Sequence, residues 1–460
     1  MEDTAPVNKR RGGWERDWTK GSNFHNLLRI SWPILISNTF MMLGPTIDMI
    51  WVGKLGSAAI AGVGVAGVAV QLIMVAMMGL VMGMRAMIAR FVGAGDERLA
   101  SRVVNHAFIL SVAISLVVGV LGIFLAEHIL TFFGLEAAVV AQGAAYMRIM
   151  FIGQAVTSLQ TMCEGVMQAS GDTMTPMKLS VIYRLFHMAL CPFLVFGWWI
   201  FPPMGVRGAA TTSVLSQSMG TALGLWILFT GRSRLQLRLK GFRPDLNIIW
   251  RMIRIGLPAL VSGVQRTLSQ FFLMWFVAPF GTLAVAAHSI NQRVEMILVM
   301  PAMAFGIASG VLMGQNLGAV QPERAEKSAW QAVGLVEGIM AIISLLILFG
   351  AEGLARLFSA EPALIELTGT FLRISVAGFM LHGLLFVFMQ SLMGAGDTLP
   401  PMIVGVAIFW AIVMPLAYFL PGVTGLGVYG IRWAMVAEMV AGSAILTIYF
   451  RSGRWKRKKV

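Results

Sequence analysis

Charge is what this 460-residue chain has least of. Asp, Glu, Lys and Arg together make up 12% of it, and only 21 residues are acidic. Soluble domains carry about 25% charged residues, so a surface this poor in charge cannot all face water, and a soluble globular protein is excluded. There are two cysteines, Cys163 and Cys191, both inside apolar stretches. That excludes a disulfide framework and a cysteine-rich zinc module, and it leaves the redox compartment unread. No Walker A sequence is present, so ATP does not drive this chain, and neither a His-x-x-x-His helix nor a Gly-x-Ser-x-Gly elbow occurs. The reading is therefore no enzyme and no cofactor.

What is abundant is apolar. Hydrophobic residues make up 57% of the chain and the mean hydropathy is +0.78. A membrane span needs about 20 mostly apolar residues. Twelve such helices are predicted at 27–51, 58–84, 103–126, 139–167, 177–200, 206–230, 252–277, 283–312, 329–350, 366–391, 400–420 and 427–450. Turn signals separate them, among them Gly-Ala-Gly-Asp at 93–96 and Ser-Gly-Asp at 170–172. The first apolar run begins near Leu27, too late and too long for a cleaved signal peptide. Trp51, Trp198 and Trp199 fall at span ends, where interfacial belts form. Trp14 and Trp18, with Arg10, Arg11, Arg16 and Lys20, read either as a short helix on the membrane surface or as a disordered tail.

The net charge of +14 belongs to loops and tails, which argues for topology rather than nucleic acid. With the N-terminus inside, inner segments hold 24 Lys and Arg. The outer ones hold four, Lys54, Arg207, Arg356 and Arg432. Both termini are therefore expected in the cytoplasm of a cell whose plasma membrane, a bacterial inner membrane, holds the protein.

Shifted by 225 residues, the chain matches itself. Pro33 falls on Pro258, Gly56 on Gly281, Gly93-Ala94 on Gly318-Ala319, Gly171-Asp172-Thr173 on Gly396-Asp397-Thr398, and Pro176 on Pro401. Six spans per repeat is an even number, so the halves share one orientation and relate by an axis along the membrane normal. The expected division is a cytoplasmic tail at 1–26, an N-lobe at 27–230, a basic linker at 231–251, a C-lobe at 252–450 and a basic tail at 451–460. The fold expected is all-α and integral to the membrane, two six-helix bundles about a pseudo-twofold axis. Such a pair encloses a central cleft that rocking can open to either side. A receptor or scaffold has no use for one, so a transporter driven by an ion or substrate gradient is favoured.

An ionisable group in the hydrocarbon region costs several kcal/mol, roughly 2.5–3.5 on insertion scales, so each is a candidate site. Asp48 stands near the outer end of the first helix, where it serves either coupling or a cap on the turn into Gly53-Lys54. Arg184, His187 and Cys191 fall on one face of the fifth helix at i, i+3, i+7. In the eighth helix His288, Gln292 and Glu295 fall at i, i+4, i+7, flanked by Asn291. Arg266, beside Gln265 in the seventh helix, should reach the depth of Glu295, so that Glu295 is either Arg266's ion-pair partner or a functional acid. Glu164 shares a face with Thr157, Gln160, Thr161 and Gln168, which reads as a gate contact or simple hydration. Asp172 and Asp397 read as turn and cap residues. Met74, Met77, Met78 and Met82 form one stripe, either a soft cavity lining or packing against lipid.

These motifs in this order resemble the MATE family, the multidrug and toxic compound extrusion transporters, from about Asp17 to Tyr449. The resemblance rests on Asp17-Trp18-Thr19-Lys20-Gly21, Ile47-Asp48-Met49-Ile50-Trp51-Val52-Gly53, Gly93-Ala94-Gly95 and Gly171-Asp172-Thr173. In the second half it rests on Gly256-Leu257-Pro258, Ala286-Ala287-His288, Arg293-Val294-Glu295, Met300-Pro301 and Gly314-Gln315-Asn316-Leu317-Gly318-Ala319. It implies a V-shaped pair of bundles and export of organic cations in exchange for H+ or Na+. It also implies that Asp48 is the acid that takes the coupling ion, and that Ser213 supplies a hydroxyl ligand.

The chain departs from the family pattern in three places. Relatives tend to carry Asn-x-x-x-Asp-Pro late in the fifth helix, whereas this chain reads His187-Met188-Ala189-Leu190-Cys191-Pro192. Gln265-Arg266 stands where an acid is frequent, and His382 where some relatives carry Asp. Na+ prefers hard oxygen donors, whereas imidazole, with a pKa of about 6.5, suits a proton. H+ is therefore expected over Na+, although a merely hydrogen-bonded His187 stays open. The expected partners are small organic cations and membrane lipid, with no nucleic acid, and the protein is expected to act as a monomer. The rival reading is a flippase for lipid-linked intermediates or anionic lipids, kept open by Arg184, Arg266 and Arg293.

Overall fold

The computed structural model describes residues 17–132, 136–238, 240 and 242–458. The first half holds α1 (Asn23–Val52), α2 (Ser57–Gly93), α3 (Glu97–Phe132), α4 (Ala137–Ile152), α5 (Gln154–Ser170), α6 (Met174–Phe196) and α7 (Val206–Phe229). The second holds α8 (Leu246–Val277), α9 (Thr282–Leu298), α10 (Met300–Gly318), α11 (Pro322–Arg356), α12 (Pro362–Gly394), α13 (Leu399–Ile408), α14 (Met414–Val423) and α15 (Val428–Arg451). No strand occurs among the described residues.

Three of the twelve spans are built from two helices. The fourth bends by 52° between α4 and α5 at Gly153, and the eighth by 41° between α9 and α10 at Val299. Pro301 opens α10, where a missing N–H costs nothing because the first turn has no partner for it. In the eleventh span a π-turn, Phe409–Val413, joins α13 to α14 just before Pro415, which cannot donate to the ladder. Among the described residues, with each bent pair counted as one span, nine are long and apolar enough to cross a bilayer. α2, α7 and α8 complete the twelve. α7 carries Thr212, Ser213, Ser216 and Thr221 on its buried side, and α8 carries Arg266.

The repeat is visible in the ion pairs. Arg148 meets Glu127 at 2.8 Å and Arg373 meets Glu352 at 2.9 Å. Both residues of the second pair lie 225 positions after those of the first. The two halves also exchange helix ends. The opening turns of α1, Leu27, Ile30 and Ile34, pack into the cluster of α10, α11 and α12, while Ile47 and Val52 pack among α2, α4, α6 and α7. Reciprocally, Ile248, Met252 and Ile255 of α8 pack against α2, α3 and α5, while Leu273 and Val277 rejoin the second half. At this end, where α1 starts and α15 ends and which is called proximal below, a Cβ on Gly93 would overlap the Gln315 backbone and one on Gly318 the Arg90 carbonyl. Small residues let helices approach this closely where no hydrophobic drive holds them together.

Both basic connectors are docked rather than free. In the linker, Leu235 and Leu237 are buried against α2 and α3, Asn105 donates to the Arg238 carbonyl at 2.7 Å, and the Asp245 N–H donates to His106 at 2.8 Å. In the tail, Trp455 is fully buried and stacks on Phe450, Lys456 meets Glu326 at 2.5 Å, and Lys458 meets Asp397 at 3.1 Å. Asp397 also accepts from the Tyr449 hydroxyl at 2.6 Å, so it anchors the tail instead of capping a helix. Asp172 does act in its turn, accepting from the Thr175 N–H at 3.0 Å.

Trp18 does not ride on a surface helix. Asp17–Gly21 is a turn, and the Trp18 ring is buried at Gly171 and joins the α10–α12 cluster. Trp14, Arg10, Arg11 and Arg16 lie outside the described residues. The methionine stripe divides, with Met77 buried in the first-half core and Met78 exposed.

Candidate functional site

The first polar cluster joins α1, α6 and α7. Asp48 comes one turn before α1 ends, and its side chain turns inward to a site where it is 3% exposed. One of its oxygens lies 3.1 Å from His187 Nε2 and 3.6 Å from Cys191 Sγ. The other accepts from the Ser213 hydroxyl at 3.0 Å, and that hydroxyl is 3.2 Å from His187 Nε2. The i, i+4 spacing on α6 brings His187 and Cys191 to one face of the helix. Among the described residues His187 Nδ1 has no partner, which fits the tautomer with the proton on Nε2, facing the carboxylate. Of the five first-half residues singled out from sequence, four meet here. Arg184 does not. It sits nearer the proximal end, donates to the Met41 carbonyl at 3.2 Å, and fills the space left by Gly44.

The second cluster joins α9, α12 and α15. Glu295 accepts from Asn291 at 2.7 Å and from Ser375 at 3.3 Å, and meets Arg432 at 3.5 Å. Arg432 is 1% exposed, lies over the Phe371 ring, and donates to His288 Nδ1 at 2.7 Å. Arginine has no acceptor, so Nδ1 carries the lone pair in this bond.

The expected Arg266–Glu295 pair is therefore not formed, because Arg432 occupies that role. Among the described residues Arg266 makes no ion pair or hydrogen bond. Arg432, expected with the outer loops, lies inside the first turns of α15, facing the bundle. The available signal was its place within the predicted span 427–450, since an arginine that deep requires an acid opposite. The remaining second-half candidates do not converge on the cluster. Gln265 bonds Ser269 at 2.7 Å, His382 stacks on Phe386, and Gln292 is only half-buried with no bond of its own. On α5, Gln160 donates to Glu164 at 3.2 Å, Thr157 to Gln217 at 2.5 Å, and Gln168 accepts from Arg85.

The repeat does not duplicate either cluster. Shifted by 225, Asp48 falls on Leu273 and His187 on Ile412. The two halves therefore share a scaffold and differ in chemistry.

The MatE family profile matches residues 33–193 and again 258–419, the second match starting 225 positions after the first. The chain belongs to the MatE family. Members of this family are transporters, not enzymes. Among its relatives is the probable multidrug resistance protein NorM of Thermotoga maritima, 25% identical over 94% of this chain and 93% of that protein. The probable multidrug resistance protein YoeA of Bacillus subtilis is 25% identical over 93% of each chain. The FAD transporter of Shewanella oneidensis is 23% identical over 87% and 89%. The fold superposes on a MATE structure in the bent conformation with a TM-score of 0.88 at 23% identity, over 95% and 96% of the two chains. A transporter of the wider superfamily from Pyrococcus furiosus, described as having a binding pocket of reverse polarity, gives 0.89 at 22%, over 96% and 98%. As a MatE protein the chain is a multi-pass membrane transporter of small molecules, of the multidrug efflux type.

Proposed function

We propose that this MatE transporter exports amphipathic organic cations in exchange for protons, by alternating access between lobes at 27–230 and 252–450. The observation that carries the reading is the buried Asp48 carboxylate, whose only basic neighbour among the described residues is an imidazole and whose other partners are a thiol and a hydroxyl. A fixed arginine there would hold the acid in one state, and this site has none. H+ is favoured over Na+ by donor chemistry. The site offers one carboxylate, one hydroxyl, a nitrogen and a sulfur, whereas Na+ prefers a shell of oxygens. The relatives described as multidrug resistance proteins support the substrate class. By loop charge, the protein sits in a bacterial inner membrane with both termini cytoplasmic. In this reading the protein acts as a monomer.

The test is dye efflux from proteoliposomes, with Na+ varied at fixed pH and pH varied without Na+. Efflux that follows the proton gradient and ignores Na+ is the expected outcome. Efflux driven by a Na+ gradient with no pH gradient would overturn the proton reading.

A second reading is a flippase or exporter of anionic, phosphate-bearing molecules. Arg266 on α8, without an ion pair among the described residues, favours it, and a relative described as an FAD transporter is consistent with it. Export of flavin dinucleotide, with organic cations left behind, would decide for that reading.

A further inference from the structure

The Asp48 cluster has a donor set that a proton does not need. A nitrogen, a thiol sulfur and a carboxylate oxygen, one from each of three buried residues, lie within 4.8 Å of one another. Tetrahedral Zn2+ binds such ligands at about 2.0–2.3 Å, which separates neighbouring ligand atoms by about 3.3–3.7 Å. The Asp48–His187 and Asp48–Cys191 separations, 3.1 and 3.6 Å, need shifts of only a few tenths of an ångström to meet this, and the His187–Cys191 pair, within 4.8 Å, needs a side-chain movement of about 1 Å at most.

Charge balance points the same way. With Cys191 as thiolate, Asp48 ionised and His187 neutral, a dication is neutralised within a buried site. The thiol proton leaves to solvent on binding, as metal sites generally require. Ser213 is too weak a donor to be assigned as a ligand. It holds the second Asp48 oxygen at 3.0 Å, the orienting role that outer partners play in metal sites, and a water completes the fourth position.

We propose that Asp48, His187 and Cys191 form a transition-metal site that takes Zn2+ or Co2+, with Ser213 as the positioning residue, and that a bound ion pins α1 to α6. The metal site stands on this geometry alone. Its consequence, that bound metal blocks transport, rests on the reading of Asp48 as the exchange residue.

Co2+ is the probe, added to the purified full chain in detergent. A tetrahedral Co2+ spectrum with a sulfur-to-cobalt charge-transfer band, at one ion per chain, is expected. Cys163→Ser, which removes the other thiol, should leave the band intact. Cys191→Ser should abolish it, and His187→Gln should weaken Co2+ binding by more than about 10-fold. Absence of the band in wild type, or its survival in Cys191→Ser, overturns the proposal. Should Cys191→Ser misfold, His187→Gln and Asp48→Asn are read instead, and a Co2+ band of wild-type strength in both refutes the site. Efflux is read separately. Zn2+ that binds without slowing transport would leave the metal site standing and remove Asp48 from the exchange pathway.

Discussion

Arg90 and Gln315 stand 225 residues apart and hydrogen-bond in opposite directions across one boundary. Arg90, from the first half, donates to the Ala395 carbonyl at 3.1 Å, and Gln315, from the second, donates to the Ala169 carbonyl at 3.0 Å. Beside them Gly93 and Gly318 press against each other's half in the same reciprocal way. The proximal ends of the two halves are thus locked by a matched pair of contacts, and both must release if the cleft is to open on that side.

Gly93→Leu should break this lock, because its side chain has to displace the Gln315 backbone rather than a flexible neighbour. Overpacking of this kind costs about 1–3 kcal/mol. A lower melting temperature is expected, together with faster alkylation of a cysteine introduced at Ala319. Unchanged values of both would show that the halves do not meet there in the membrane.

Asp48→Asn should insert and fold, since an amide still accepts from Ser213, but it should not exchange substrate for an ion. In reconstituted vesicles gradient-driven efflux is expected to fall to background. Efflux at the wild-type rate would remove Asp48 from coupling.

Arg432→Gln leaves Glu295 buried without its cation and His288 without its donor. Breaking a buried pair from one side costs about 3–5 kcal/mol. The double change Arg432→Met with Glu295→Met should recover much of that stability, and the recovered part measures the coupling. Arg266→Gln, at a side chain with no fixed partner, should fall within about 0.5 kcal/mol of wild type. A large loss for Arg266→Gln with none for Arg432→Gln would reverse the pairing described above.

The C-terminal tail should behave as part of the fold. Lys458 bridges to Asp397, and its carbonyl accepts from Arg90 at 2.8 Å, so the tail touches both halves. Trp455→Ala should destabilise the protein by about 3–5 kcal/mol, as for other buried Trp. Removal of residues 454–460 should speed proteolysis at the proximal end. A truncated protein as stable as the full chain would show that the tail is only an appendage.

Twelve spans and a duplication were legible in the sequence, because apolar runs of bilayer length and a 225-residue self-match leave little freedom in how the chain crosses a membrane. Helix ends were not. α2 runs on to Gly93 and α3 begins at Glu97, because helices continue past the apolar run when polar turns beyond it pack on neighbours. The first-half site was largely readable. Asp48 was conspicuous as a charge in an apolar run, and His187 and Cys191 declared themselves by spacing on one helix. Ser213 came only through family resemblance. In the second half His288, Asn291 and Glu295 do meet, but the expected cation opposite Glu295 was the wrong arginine, because depth along two helices identifies which residues are level and says nothing about which faces meet.

Composition and periodicity alone therefore determined that this protein crosses the membrane, how often, and in two like halves. Those properties depend on each segment's own affinity for lipid, which is additive along the chain. The partner of Glu295, the docking of the basic linker and tail, and the exchange of α1 and α8 ends between halves were decided only in three dimensions. They depend on which side of one helix faces which side of another. That rotation is fixed by packing among all the helices at once, and no single segment encodes it.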